Sequence, residues 1–175
     1  MHKFQILTIT ACVILLGACK HTTKDMIVGK WRGVEAFDPQ DDSATQQMKI
    51  YIDTLGSSKD PMVNLSIYGT TNIDSIKNYL RNEMNSLKQV RSNALHNTIF
   101  SFKSNGVAEL DFNGKKNTSS WTVDSSSTLR LIDKDGDTKG QEITAKILTV
   151  TDSMLKMKFI EAGHTSDVTF HKEKK

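Results

Sequence analysis

From Thr98 to Phe170, apolar and polar residues alternate with period two rather than at helical spacing. Phe100 and Phe102 form one set, followed by Ala108, Leu110 and Phe112, then Trp121 and Val123, then Leu129 and Leu131. Ile143, Ala145 and Ile147 continue the pattern, with Leu155, Met157 and Phe159 next and Val168 and Phe170 last. Successive side chains of a strand point to opposite faces, so each set describes a strand with one buried and one wet face. Turn residues stand between the sets: Asn105-Gly106, Asn113-Gly114, Ser125 to Ser127, Asp135-Gly136, Asp152-Ser153 and Gly163-His164. Asn-Gly and Asp-Gly accept the positive φ of tight hairpins. The pattern predicts seven hairpin-linked strands, and Ile27 to Phe37 offers an eighth. Eight antiparallel strands with one apolar face can close into a barrel, which removes the exposed edges of an open sheet.

A different period interrupts the strands. Ile73, Ile76, Leu80, Met84, Leu87, Val90 and Ala94 recur at spacings of three and four, with Lys77, Arg81, Lys88 and Arg91 among the polar positions. This predicts an amphipathic helix from Asn72 to Leu95, with Thr71 and Asp74 as its capping box, inside a helical insert spanning 70–97. Its apolar stripe is expected to pack against the sheet, on its outside or as a lid over one end. Contact with an anionic membrane surface is the alternative for a basic amphipathic helix. Between Asp38 and Thr71 the pattern is ambiguous: Met48, Ile50 and Ile52 alternate as in a strand, whereas Met48, Tyr51, Ile52 and Leu55 would share a helical face.

A chain of 175 residues, 37% hydrophobic and 25% charged, has the makings of one globular domain. A domain of that size buries roughly two thirds of its unfolded surface, so it needs no metal or disulfide to hold a core. A formal charge of +3, evenly spread, does not argue for a nucleic-acid partner.

The N-terminus carries an address. Met1 to Lys3 is a basic start, and Phe4 to Leu16 is an apolar run too short to span a bilayer, which needs about 20 residues. That is the form of a signal-peptide core. It ends in Leu16-Gly17-Ala18-Cys19, which resembles the bacterial lipobox at all four positions. The resemblance implies cleavage after residue 18, a diacylglyceryl group on Cys19, and a membrane leaflet as partner. The expected organisation is a signal peptide at 1–18, a lipidated polar tether at 19–25, and a single domain at 26–175. Loss of Lys3 with the signal takes the 23 basic residues to 22 against 20 acidic ones. Cys12 would leave with the signal and Cys19 would be capped, so the mature chain would have no thiol for a disulfide, a metal or catalysis. Lys20 stands where the inner-membrane retention signal of enterobacteria has Asp, which points to the outer membrane, and Lys20 to Lys24 has no acidic cluster of the kind that sends some lipoproteins to the cell surface, which points to the face towards the periplasm.

Gly29-Lys30-Trp31 opens the first expected strand, and further on stand Phe100-Ser101-Phe102-Lys103-Ser104-Asn105-Gly106 and Ser120-Trp121-Thr122-Val123. These resemble the small lipocalin-like lipoproteins of bacteria with two membranes. The resemblance covers about residues 26 to 37 and 98 to 172. It implies a mainly β fold, an eight-stranded, antiparallel, lipocalin-like barrel, and leaves the amphipathic helical insert between the first and second strands outside the match. It also implies that Gly29, Trp31 and Trp121 are structural signature residues, with Trp31 plugging the barrel floor. Lipocalins place an Arg of the last strand over that Trp; here Lys172 is the nearest candidate.

Other chemistries find little support. Asp133-Lys134-Asp135-Gly136-Asp137 spaces its acids by two, but the EF-hand pattern needs Gly at the sixth position and an acid at the twelfth, where Thr144 stands. The histidines His21, His96, His164 and His171 lack zinc-site spacing. There is no Gly-x-Ser-x-Gly elbow and no phosphate-cradling glycine loop. Glu35 shares the parity of Trp31 and is either a lone inward carboxylate or a rim residue. The expectation is a non-catalytic protein without metal or cofactor, whose barrel binds a small apolar or amphipathic ligand. Phe100, Phe102, Phe112, Leu131, Met157 and Phe159 would line its interior. The same residues would fill a solid core, in which case the chain would be a scaffold whose insert binds an envelope protein.

Overall fold

The computed structural model describes residues 22–174, apart from Ser57, Lys59, Gly136, Asp137 and Ala162. The signal peptide, Cys19, Lys20 and part of the Asp135-Gly136 turn lie outside the described residues. The chain runs α1 (Thr23–Ile27), β1 (Gly29–Phe37), α2 (Pro39–Thr54), α3 (Pro61–Tyr68) and α4 (Ile73–His96). Seven strands follow: β2 (Thr98–Phe102), β3 (Val107–Phe112), β4 (Lys115–Val123), β5 (Thr128–Asp133), β6 (Glu142–Val150), β7 (Met154–Glu161) and β8 (His164–Lys172).

The eight strands form a closed antiparallel barrel in sequential order, mainly β, with α2, α3 and α4 inserted between β1 and β2. Closure is made by β1 against β8, with Trp31 opposite Lys172 and Gly33 opposite Phe170. The period-two sets emerge as the inward faces: Phe100 and Phe102, Ala108 and Leu110, Leu129 and Leu131, Ala145 and Ile147, and Leu155 and Met157 are all buried. Positive φ at Asn113 and Gly114 between β3 and β4, and at Gly106 between β2 and β3, supplies the hairpin geometry that the turn residues announce.

Antiparallel order sorts the connections by end. The β2–β3, β4–β5 and β6–β7 turns lie at one end, here the floor, and the insert with the β3–β4, β5–β6 and β7–β8 turns lies at the other, the mouth. The floor is plugged. Helix α1 packs on β4 and β6, and its Ile27 is fully buried in the barrel core. A capping box fixes this short helix, with Thr22 Oγ1 accepting from the Asp25 amide and Asp25 accepting from the Thr22 amide. The expected polar tether at 19–25 is therefore helical from Thr23, and the first strand starts at Gly29 rather than Ile27. Its one buried side chain, Ile27, is too little for a sequence pattern to register.

The insert is larger than 70–97. Asp38 accepts from the amides of Gln40 and Asp41 and caps α2, with Pro39 as its first residue. Asp60 accepts from the Met62 amide and caps α3, with Pro61 in the same place. Both prolines of the chain thus stand where a helix has no use for the amide they lack. Helix α4 begins as expected, but its cap is Asn72, which accepts from the Ser75 amide, instead of Thr71. Helices α2 and α4 run antiparallel, tied at the two ends by Asp41–Arg91 at 2.9 Å and Asp53–Arg81 at 3.0 Å. The C-terminal end of α4 rests on β1, where Leu95 lies against Gly33 so closely that a Cβ there would stand 2.6 Å from the Leu95 carbonyl oxygen. Among the described residues, no helix is long and apolar enough to cross a membrane.

Candidate functional site

The floor half of the barrel is solid. The Trp31 indole donates to the Ile27 carbonyl at 2.6 Å, and the Trp121 indole donates to the Lys103 carbonyl at 3.0 Å. Both rings are buried, and each is covered from outside by an ammonium group: Lys172 Nζ is 4.9 Å from the Trp31 centroid and Lys24 Nζ 5.9 Å from that of Trp121. The aliphatic stem of Lys172 passes where a Cβ on Gly29 would be, at 2.5 Å, and Gly29 has φ of +142°. A side chain at position 29 would displace the lysine from the tryptophan face.

Above this floor the rings stack toward the mouth. Phe102 meets Trp121 edge to face at 5.3 Å, Phe100 meets Phe102 at 6.2 Å, and Phe112 meets Phe100 at 5.6 Å. Phe170 tilts against Phe100 at 5.0 Å. Phe100 is buried, whereas Phe112 is 40% exposed, so packing gives way to open space at the level of Phe112.

That space is a cavity of about 340 Å³ at the mouth, lined by Leu95, Thr98, Phe100, Leu110, Phe112, Leu131, Ile143, Phe159, Ser166, Val168 and Phe170. Its walls come from β2, β3, β5, β6, β7 and β8, with α4 contributing Leu95. Its volume falls at the low end of the range of about 300–1,000 Å³ usual for small-molecule sites. Among the described residues the lining contains no ionisable side chain, and Thr98 and Ser166 are its hydroxyl-bearing members. Burying an uncompensated charge is expensive, so such a wall favours a neutral apolar body with at most one or two hydrogen-bonding groups.

Of the six expected lining residues, the structure brings Phe100, Phe112, Leu131 and Phe159 together on this cavity. Phe102 and Met157 share their inward parity but sit lower, in the filled half, at 2% and 0% exposure. Alternation identifies the inward face but not the height along the barrel, which depends on the stagger between strands. Leu95, Thr98, Leu110, Ile143, Ser166, Val168 and Phe170 also line it. Ile143 and Val168 carried the parity signal, whereas Leu95 depends on how α4 meets β1.

A second groove, about 430 Å³, lies between β1, α2 and α4 and includes Glu35, Asp38, Asp41, Lys88 and Arg91. Glu35 is exposed there, outside the barrel, because a register shift between Gly33 and Glu35 breaks its parity with Trp31. Asp38 and Asp41 are already engaged, in the α2 cap and with Arg91. Asp133, part of the acidic run, proves to be the last residue of β5, buried and accepting from Ser119 Oγ at 2.6 Å. This pair joins β4 to β5 inside the barrel, a structural use that the sequence did not signal. Among the described residues, no group of three or more His, Cys, Asp or Glu side chains is placed to hold a metal ion.

No protein-family model matches the chain, and no curated protein matches it. Among solved structures, it is similar to a crystal structure of a DUF4847 family protein from Bacteroides vulgatus ATCC 8482 determined at 1.00 Å. That similarity has 11% sequence identity and a TM-score of 0.43, and covers 84% of this chain and 94% of the other.

Proposed function

We propose that this is a lipid-anchored envelope protein of lipocalin-like type, which carries a small apolar or weakly amphipathic molecule in the mouth of its barrel and does not transform it. The observation that carries the reading is the division of the barrel into a packed floor and an uncharged, aromatic-lined cavity open at the far end. A barrel built only as a scaffold would gain stability by continuing the packing upward. The lipobox at Leu16 to Cys19 supports the anchor, and Lys20 supports the outer membrane, facing the periplasm.

The test is titration of the mature protein with N-phenyl-1-naphthylamine, an uncharged apolar fluorophore. Saturable enhancement at one site per chain, lost in Ser166→Trp because the indole occupies the cavity, supports the reading. Linear, unsaturable enhancement, or binding unchanged in Ser166→Trp, contradicts it.

A second reading has its own observation. Leu87 and Val90 on α4 are 59% and 62% exposed, and Met62 and Ile67 on α3 are likewise uncovered. Large apolar side chains left exposed on a helix, as Leu87 and Val90 are one turn apart on α4, can mark an interaction surface. Under this reading the insert engages another envelope protein, and Leu87→Lys with Val90→Lys abolishes a specific cross-link while leaving fluorophore binding intact.

A further inference from the structure

We propose that the floor of the barrel is a membrane-facing surface, seated on the anionic headgroups of the leaflet that holds the lipid on Cys19, so that the cavity opens away from that leaflet. The inference rests on the lipid-anchor reading above and adds an orientation to it.

Chain reach carries the first part of the argument. Cys19 precedes Thr22, the cap of α1, by three residues, which span at most about 11 Å when fully extended. Helix α1 cannot swing out to lengthen that reach, because Ile27 is fully buried in the barrel and Lys24 lies over Trp121. The lipid therefore leaves the molecule beside the floor turns, and the mouth lies at the opposite end of every strand.

Charge carries the second part. Next to α1, a depression of about 570 Å³ is bordered by Val28, Gly29, Lys30, Lys172, Glu173 and Lys174. Three ammonium groups face one carboxylate there, and Glu173 is already taken by Lys30 at 2.6 Å and Arg32 at 2.5 Å. Among the described residues the excess in this depression is positive, and it lies at the end to which the lipid is tied, where Lys24 adds to it and Asp25, Asp124 and Asp152 offset part of it. A basic surface within reach of an anchored chain gains from anionic headgroups, and a lipid chain combined with basic residues holds more firmly than either alone.

The orientation has a functional consequence. A ligand would enter and leave through the aqueous compartment, from a partner or as a free solute, and not by lateral passage from the anchoring leaflet.

The test uses the lipidated mature chain in phosphatidylethanolamine–phosphatidylglycerol vesicles. With Cys19 capped and Cys12 removed with the signal, an introduced cysteine is the only thiol. Ser125→Cys places a fluorophore on the floor turn between β4 and β5, and Lys139→Cys places one at the mouth, both at exposed positions. A nitroxide on the lipid headgroup is expected to quench the label at 125 severalfold more than the label at 139. Equal quenching, or stronger quenching at 139, overturns the orientation. Lys30→Gln with Lys174→Gln is expected to narrow the difference, and no change in it overturns the role given to the basic residues. The intact mass of the same sample separates the two levels: a mature chain without the diacylglyceryl mass overturns the anchor and the orientation together, whereas a lipidated chain quenched at the mouth overturns the orientation alone.

Discussion

Lys172, near the end of the last strand, holds its Nζ 4.9 Å from the centre of the Trp31 ring on the first, across the seam where the barrel closes. The two residues are register partners, and Nζ also lies 3.5 Å from the Met26 carbonyl that ends the plug helix. One side chain thus ties together the closing strand, the floor tryptophan and the chain's entry into the barrel.

Lys172→Ala is expected to cost about 1 kcal/mol, the scale of a partly exposed cation–π contact. Lys172→Arg should retain most of that stability, because a guanidinium also stacks on an indole. Urea unfolding followed by tryptophan fluorescence measures both. A neutral Lys172→Ala would mean that the contact at the seam contributes nothing.

Phe102 and Phe112 belong to one column of rings but to different environments. Phe102→Ala should lose about 3–5 kcal/mol, as for a filled core, whereas Phe112→Ala, at the open mouth, should lose about 1 kcal/mol or less. Equal losses in chemical denaturation would show that the column is packed to the top.

Gly33 is the footing of the insert. Gly33→Ala would force its Cβ to 2.6 Å from the Leu95 carbonyl oxygen and 2.8 Å from Leu95 Cδ1. The expected cost is about 1–3 kcal/mol, the range for overpacking. Leu95→Ala should not rescue it, since the nearer obstacle is backbone. Full rescue in thermal unfolding would place the conflict in the side chain instead.

Glu173 gives the fold a pH dependence. Its hydrogen bond to Lys30 holds its carboxyl below the ordinary value of 4.5, with Arg32 adding to the effect against an opposing contribution from burial. A lowered carboxyl pKa means that the unfolded chain binds more protons, so the stabilisation is fully present above pH 4.5 and is lost as pH falls through the lowered pKa. Glu173→Gln should flatten the stability profile below that pH. It should do so only in part, because Glu109 and Asp124 are lowered as well, the first mainly by its hydrogen bond to Lys103 and the second by that from Ser126. An unchanged slope would remove Glu173 from the account.

The barrel was legible because each strand repeats the same instruction. Period-two burial and Asn-Gly turns act locally, and hairpins pair neighbours, so the local signals already imply the sequential order. Helix α4 was legible for the same reason, through a stripe sustained over many turns. Helices α2 and α3 were obscured because their apolar residues keep to no sustained helical spacing: Met48, Ile50 and Ile52 alternate as in a strand, although of these only Ile52 is buried, with Leu55 beyond it. Their starts were nonetheless written in Asp38-Pro39 and Asp60-Pro61, a cap followed by a residue suited to the first helical position.

The site was legible in part. Inward parity found Phe100, Phe112, Leu131 and Phe159, and the same rule admitted Phe102 and Met157, which height along the barrel places in the solid half. Glu35 shows the rule failing at a single register shift. Helix α1 and Leu95 depend on contacts between segments far apart in sequence, which no local period encodes.

The central claim is an occupied mouth above a filled floor, and native mass spectrometry of the mature chain after exposure to an envelope lipid extract tests it most directly. The account predicts one discrete added mass per chain in the wild type and its loss in Ser166→Trp. A bare polypeptide mass, under conditions in which a known lipocalin keeps its ligand, would contradict it.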